Sequence, residues 1–116
     1  MQQRVQSELN QLEINIQEAK EALKKFQALE RLQKNPDFTL IIDQGYLEEE
    51  ASRAVWAKAE PEAQRRPEII QNLDNIITAI GYLRQYFRTI YQNGYQAEKI
   101  ITDSEQTRDE LIEEEG

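Results

Sequence analysis

The side chains most able to do chemistry here lie between residues 82 and 95, where Tyr82, Tyr86, Phe87, Tyr91 and Tyr95 alternate with Arg84 and Arg88. Arg84, Arg88, Tyr91 and Tyr95 are spaced by four, three and four, which places them on one face of a helix. Arginine beside aromatic rings is the composition of protein-interface hot spots, and the same set can stack single-stranded bases. A third reading buries the tyrosines in a core and pairs the arginines with the acids Glu48–Glu50. Arg53, Arg65 and Arg66 are further cations that extend this basic surface or simply face solvent. Trp56, the single tryptophan, completes the set of interface candidates.

Catalytic chemistry finds little to work with. The chain has no histidine and no cysteine, so it lacks the commonest general base and metal ligand as well as any thiolate nucleophile. Ser7, Ser52 and Ser104 have no histidine to activate them. The triplets Glu48–Glu50 and Glu113–Glu115 suggest a cation site, but consecutive helical positions point in different directions and do not converge on one ion. Gly45, Gly81, Gly94 and Gly116 are isolated and form no phosphate loop. These features point away from an enzyme, from a cofactor and from a metal. With a net charge of −8, binding to a nucleic-acid backbone is unexpected. A polar N-terminus and the lack of any long apolar run predict no signal peptide and no membrane span.

The elements that must position these residues are helices. Leu73, Ile76, Ile80, Leu83, Phe87, Ile90, Gly94, Ala97, Ile101, Ser104, Arg108 and Leu111 alternate by three and four, an unbroken heptad seam. It predicts a helix over residues 67–113, with fraying at its acidic end, where the helix dipole disfavours carboxylates. Val5, Leu9, Leu12, Ile16, Ala19, Leu23 and Phe26 form a second seam in a helix over residues 2–34. Asn35-Pro36-Asp37 reads as a helix stop and as the N-cap, N1 proline and first-turn acid of the next helix. Gly45 then divides two short helices, 36–43 and 46–59. Trp56 falls opposite Leu47 and so needs a pocket of its own or stays partly exposed. Pro61 and Pro67 frame a polar loop or a single helical turn.

Two long seams joined by compact helices specify an all-α fold: an elongated antiparallel hairpin, a coiled-coil stalk of 2–34 with 90–113, within one helical domain. Residues 35–89 are expected to form a head at its far end, with a core of Phe38, Ile41, Ile42, Leu47, Val55, Ile76, Ile80, Leu83 and Phe87. Val5 should face the neighbourhood of Leu111, and Leu23 and Phe26 should face Gly94 and Ala97, large residues opposite small ones. Gly81 lies off the seam and suggests contact with another helix or subunit.

Arg31-Leu32, Asn35-Pro36-Asp37-Phe38, Gly45-Tyr46-Leu47, Glu50-Ala51 and Arg53 give the middle of the chain a familiar pattern. With Ala79-Ile80-Gly81, Leu83-Arg84-Gln85-Tyr86 and the acidic tail, residues 28–115 resemble small uncharacterised helical proteins encoded by tailed bacteriophages. The resemblance implies a virion structural or assembly protein, such as a decoration, scaffolding or head–tail component. It would be found in the virion or in the host cytoplasm during assembly, partnered by other virion proteins or by itself. It supplies no catalytic residue. The alternative function is that of a small regulatory protein that binds a host or phage enzyme through the Tyr/Arg face.

Overall fold

In the computed structural model, which describes residues 2–115, the chain is helical throughout apart from short connections, and no strand occurs among those residues. Helix α1 spans Gln2–Gln33. A short α2, Pro36–Phe38, runs into a π-helical segment π1, Thr39–Glu50, and on into α3, Ala51–Lys58. A single turn, α4, covers Pro61–Gln64, and α5 runs from Pro67 to Glu115. The chain divides into two compact units, one of residues 1–29 with 89–116 and the other of residues 30–88.

The first unit is an antiparallel helical hairpin. Val5, Ile16, Ala19 and Leu29 of α1 are buried, as is Ala97 of α5. Burying an aliphatic side chain of this kind contributes about 1.5–3 kcal/mol, and here heptad spacing keeps the burials on one stripe. A Cβ added to Gly94 would coincide with the Phe26 side chain, so the glycine exists where the ring needs its volume. Ala97 is fully buried and lines a groove together with Ala19 and Ala22. The expectation that large residues lie opposite small ones therefore holds for Phe26 on Gly94. Leu111 shares a concavity with Glu8, Gln11 and Leu12, about one turn from the position expected opposite Val5. The polar seam position Arg108 reaches across to Glu13, Nη1 to Oε1 at 3.1 Å. The acidic end remains helical through Glu115 rather than fraying.

The second unit begins at a capped turn. Asn35 Oδ1 accepts from the Asp37 and Phe38 amides at 2.9 and 3.2 Å, and Pro36 occupies the first helical position, where its missing N–H is harmless. Beyond it the expectation of two helices split at Gly45 is corrected. Gly45 has no positive φ, and the junctions at Thr39 and Ala51 are right-handed helical, so one continuous helical run spans Pro36–Lys58. A glycine ends a helix only if the chain adopts the left-handed conformation, and here it does not.

The wide π turn has a second consequence. Bonding to the fifth residue slips the phase relative to a period of 3.6, so faces assigned at 100° per residue drift beyond Thr39. Ile41 and Val55, expected in the core, are 64% and 51% exposed, whereas Ala54 is fully buried. The actual core joins Ala54, Ala63 and Leu73, with Ala57, Ile69, Ile70, Ile76 and Ile77 packed against it. Ile80 is buried as expected, and Phe38 meets Phe87 with ring centroids 6.1 Å apart. Phe38, Ile42, Leu47, Leu83 and Phe87 are half-buried.

Candidate interaction surfaces

The seven candidate residues fall in both units. Trp56, Tyr82, Arg84, Tyr86 and Arg88 belong to the unit of residues 30–88, and Tyr91 and Tyr95 to the hairpin unit. The first group is exposed throughout. Trp56 on α3 is 77% exposed, and Tyr82 and Tyr86 on α5 are 66% and 54% exposed. Trp56 thus takes the second of the two outcomes that its place opposite Leu47 allowed. Tyr82 and Tyr86 are four residues apart and share the outward side of α5, away from the buried Leu73 and Ile80.

In the hairpin unit Tyr91 and Tyr95 are not a free pair of anchors. Both pack on Phe26, with centroids 5.6 and 5.2 Å away, the first edge-on at 85°. Tyr91 and Tyr95 also stack with each other at 6.4 Å. Offset and edge-on contacts of this kind add about 0.5–1.5 kcal/mol beyond area burial. The cluster seals the side of the Phe26–Gly94 contact, a structural duty, while Tyr95 keeps most of its surface in solvent.

The charges sort themselves with equal clarity. Arg53 donates from Nε to Glu50 Oε2 at 3.0 Å, and its Nη2 bonds the other carboxylate oxygen. That hydrogen bond holds the Glu50 carboxyl below the usual glutamate range and raises Arg53 above the usual guanidinium value. Arg65 and Arg66 both pair with Glu62, at 3.2 and 3.0 Å. Lys58 Nζ lies 2.7 Å from Asp74 Oδ1. Glu50 thus balances Arg53, whereas Arg65 and Arg66 share one carboxylate and keep most of their side-chain surface in solvent. Arg84 and Arg88 do not pair with Glu48–Glu50, and among the described residues neither forms an ion pair within 4.0 Å.

Two features of this surface go beyond the residue pattern that drew attention to it. Leu40 and Ile41 of π1 are 62% and 64% exposed, and no residue of that segment is buried. In addition, residues 75–97 hold two arginines and no acid, in a chain with 22 acids. That second feature was open to a count of acids along the sequence. The first was not, because it depends on the π turn.

Among the described residues no group of three or more carboxylates is placed to hold a metal ion, and no helix is long and apolar enough to cross a membrane. Comparison with models of known protein families, with curated proteins and with solved structures finds no match to this chain.

Proposed function

We propose that this chain is a non-enzymatic assembly protein that works by helix–helix contacts with other protein chains. The observation that carries the reading is Trp56, which stands 77% exposed on α3. Tryptophan, tyrosine and arginine dominate binding hot spots, and a large aromatic side chain held in water gains most by being covered. The absence of histidine and cysteine from the sequence supports a non-catalytic role. The resemblance to small tailed-phage proteins supplies the setting: a decoration, scaffolding or head–tail component of a virion.

Mass spectrometry of purified virions tests this reading. The chain is expected at a fixed stoichiometry, and Trp56→Ala is expected to lower its incorporation while leaving helicity unchanged. Because Trp56 is the single tryptophan, its fluorescence should also shift to the blue in the particle. One observation favours a second reading. Arg84 and Arg88 carry unpaired charge beside Tyr82 and Tyr86, the composition of a regulatory binder that docks on an acidic patch of a host or phage enzyme. Particles that lack the chain would overturn the virion role and leave that second reading.

A further inference from the structure

Within the unit of residues 30–88, Gly81 is a glycine without an internal reason. It lies in the interior of α5, where glycine costs about 1 kcal/mol relative to alanine. A Cβ built on it meets nothing within 4 Å, so nothing in this chain requires its small size. Gly94, farther along the same helix, is the contrast, since its missing Cβ makes room for Phe26.

The residues around Gly81 have a symmetry of their own. Asp74 lies seven positions before it and Arg88 seven positions after it. Positions seven apart on a helix drift by only about 20°, so all three occupy one stripe. Arg88 is exposed and has no ion-pair partner among the described residues. The Asp74 side chain meets Lys58 at Oδ1 and is 44% exposed, which leaves part of its carboxylate open to a second donor. A two-fold contact requires that if residue i meets j, then j meets i. An acid and a cation equally spaced about a glycine satisfy that condition when a second copy of the helix crosses in the opposite direction.

We propose that the chain forms a two-fold dimer in which α5 crosses α5 of a second copy, antiparallel and centred on Gly81. Asp74 of each copy then lies opposite Arg88 of the other. Overall charge selects this place for a self-contact. Two chains of net charge −8 repel wherever their acids meet, but from Asn75 to Ala97 α5 carries none. Tyr82, beside Gly81 and 66% exposed, supplies apolar area to cover at the crossing. The proposal rests on the reading that the protein works by helix–helix contacts, and it narrows one partner to a second copy.

Sedimentation analysis of the full chain from micromolar to millimolar concentration tests it. A concentration-dependent dimer is expected. Arg88→Asp alone and Asp74→Arg alone each set like charges face to face and should weaken dimerisation by at least about tenfold. The double exchange Asp74→Arg with Arg88→Asp, made together with Lys58→Glu so that position 74 keeps an opposite charge within its own chain, restores opposite charges across the two-fold and should recover it. Gly81→Leu guards against a folding artefact. Leucine is the better helix former and its Cβ meets nothing within 4 Å, so the monomer should melt no lower, whereas the dimer should be lost. A wild type that stays monomeric, or a double exchange that dimerises no better than the singles, overturns the proposal. The virion and Trp56 measurements still decide the proposed function on their own, because they need no self-association.

Discussion

The two units bury their apolar residues by different means. The hairpin unit matches sizes across a seam: Phe26 takes the volume that Gly94 gives up, Tyr91 and Tyr95 close over the ring, and the small Ala97 is fully buried. The unit of residues 30–88 instead centres on the small Ala54 and Ala63 beside Leu73, packs isoleucines of α5 against them, and leaves several other large side chains exposed. Leu32, Leu40, Ile41, Val55, Trp56, Tyr82 and Tyr86 are exposed there, against Ile14, Tyr95, Ile100 and Ile112 in the hairpin. A heptad seam between two helices is a closed solution. A short helical run with a π segment turns its large residues away from the small core, which is how an unpartnered surface arises. The hairpin uses its large seam residues for its own packing, whereas more of the other unit's large apolar side chains lie exposed.

The sharpest way to break this comparison is to delete the same kind of mass from the inside and the outside of the second unit. Leu73, 7% exposed, touches the small-residue core, so Leu73→Ala should cost about 2–5 kcal/mol in urea unfolding. Ile41→Ala removes a similar side chain at a site 64% exposed and should fall within about 0.5 kcal/mol of the wild type. Comparable losses at both sites would mean that the π segment is covered after all and that the contrast between the units is false.

A smaller effect, with a reversal of sign, tests the hairpin. Glycine to alanine inside a helix ordinarily stabilises, by about 1 kcal/mol. At Gly94 the added methyl would land on Phe26, and Gly94→Ala should instead destabilise by about 1–3 kcal/mol through overpacking. Phe26→Ala in the same chain should return part of that loss, because side chains in contact couple while distant ones add. Leu9→Ala, which lies elsewhere along the hairpin, should return none. Thermal melts of the three single and two double variants beside the wild type measure the coupling. Equal and additive losses would show that the ring and the glycine are not a matched pair.

How far the sequence reveals this arrangement follows the same division. Alternating threes and fours are a property of local spacing, so both long helices and the Phe26–Gly94 match are legible before any coordinates. The Asn35 cap and Pro36 are legible for the same reason, since capping uses only neighbours. The path beyond Thr39 is not. Gly45 carries the sequence signal for a stop, yet the run from Pro36 to Lys58 continues through it with a widened turn, and a phase computed at 3.6 residues per turn then moves Ile41 and Val55 to the wrong side. The interface residues were found by type. Which of them are free depended on packing: Tyr91 and Tyr95 serve Phe26, while Tyr82 and Tyr86 do not.

The smallest expected effect concerns Glu50, whose titration is displaced downward. Glu50 ends the π segment, and Arg53 lies in the first turn of α3, so their pairing spans the junction between two helical geometries. The hydrogen bond from Arg53 lowers the Glu50 pKa below its ordinary 4.5. A carboxyl with a depressed folded-state pKa binds its proton more readily when unfolded, so its contribution is fully present above the unfolded value. It is lost as pH falls through the folded value, below about 4.5. Arg53, raised further above its usual value, stays charged throughout and adds nothing in that window. Both side chains are well exposed, at 34% and 56%, so solvent screens the pair and the difference is small. Acid titration of urea stability for the wild type and for Arg53→Gln should give curves that differ slightly at neutral pH and converge as Glu50 protonates. If the curves stay parallel down to pH values well below the glutamate range, Arg53 contributes by packing its stem, and the junction is held without its charge.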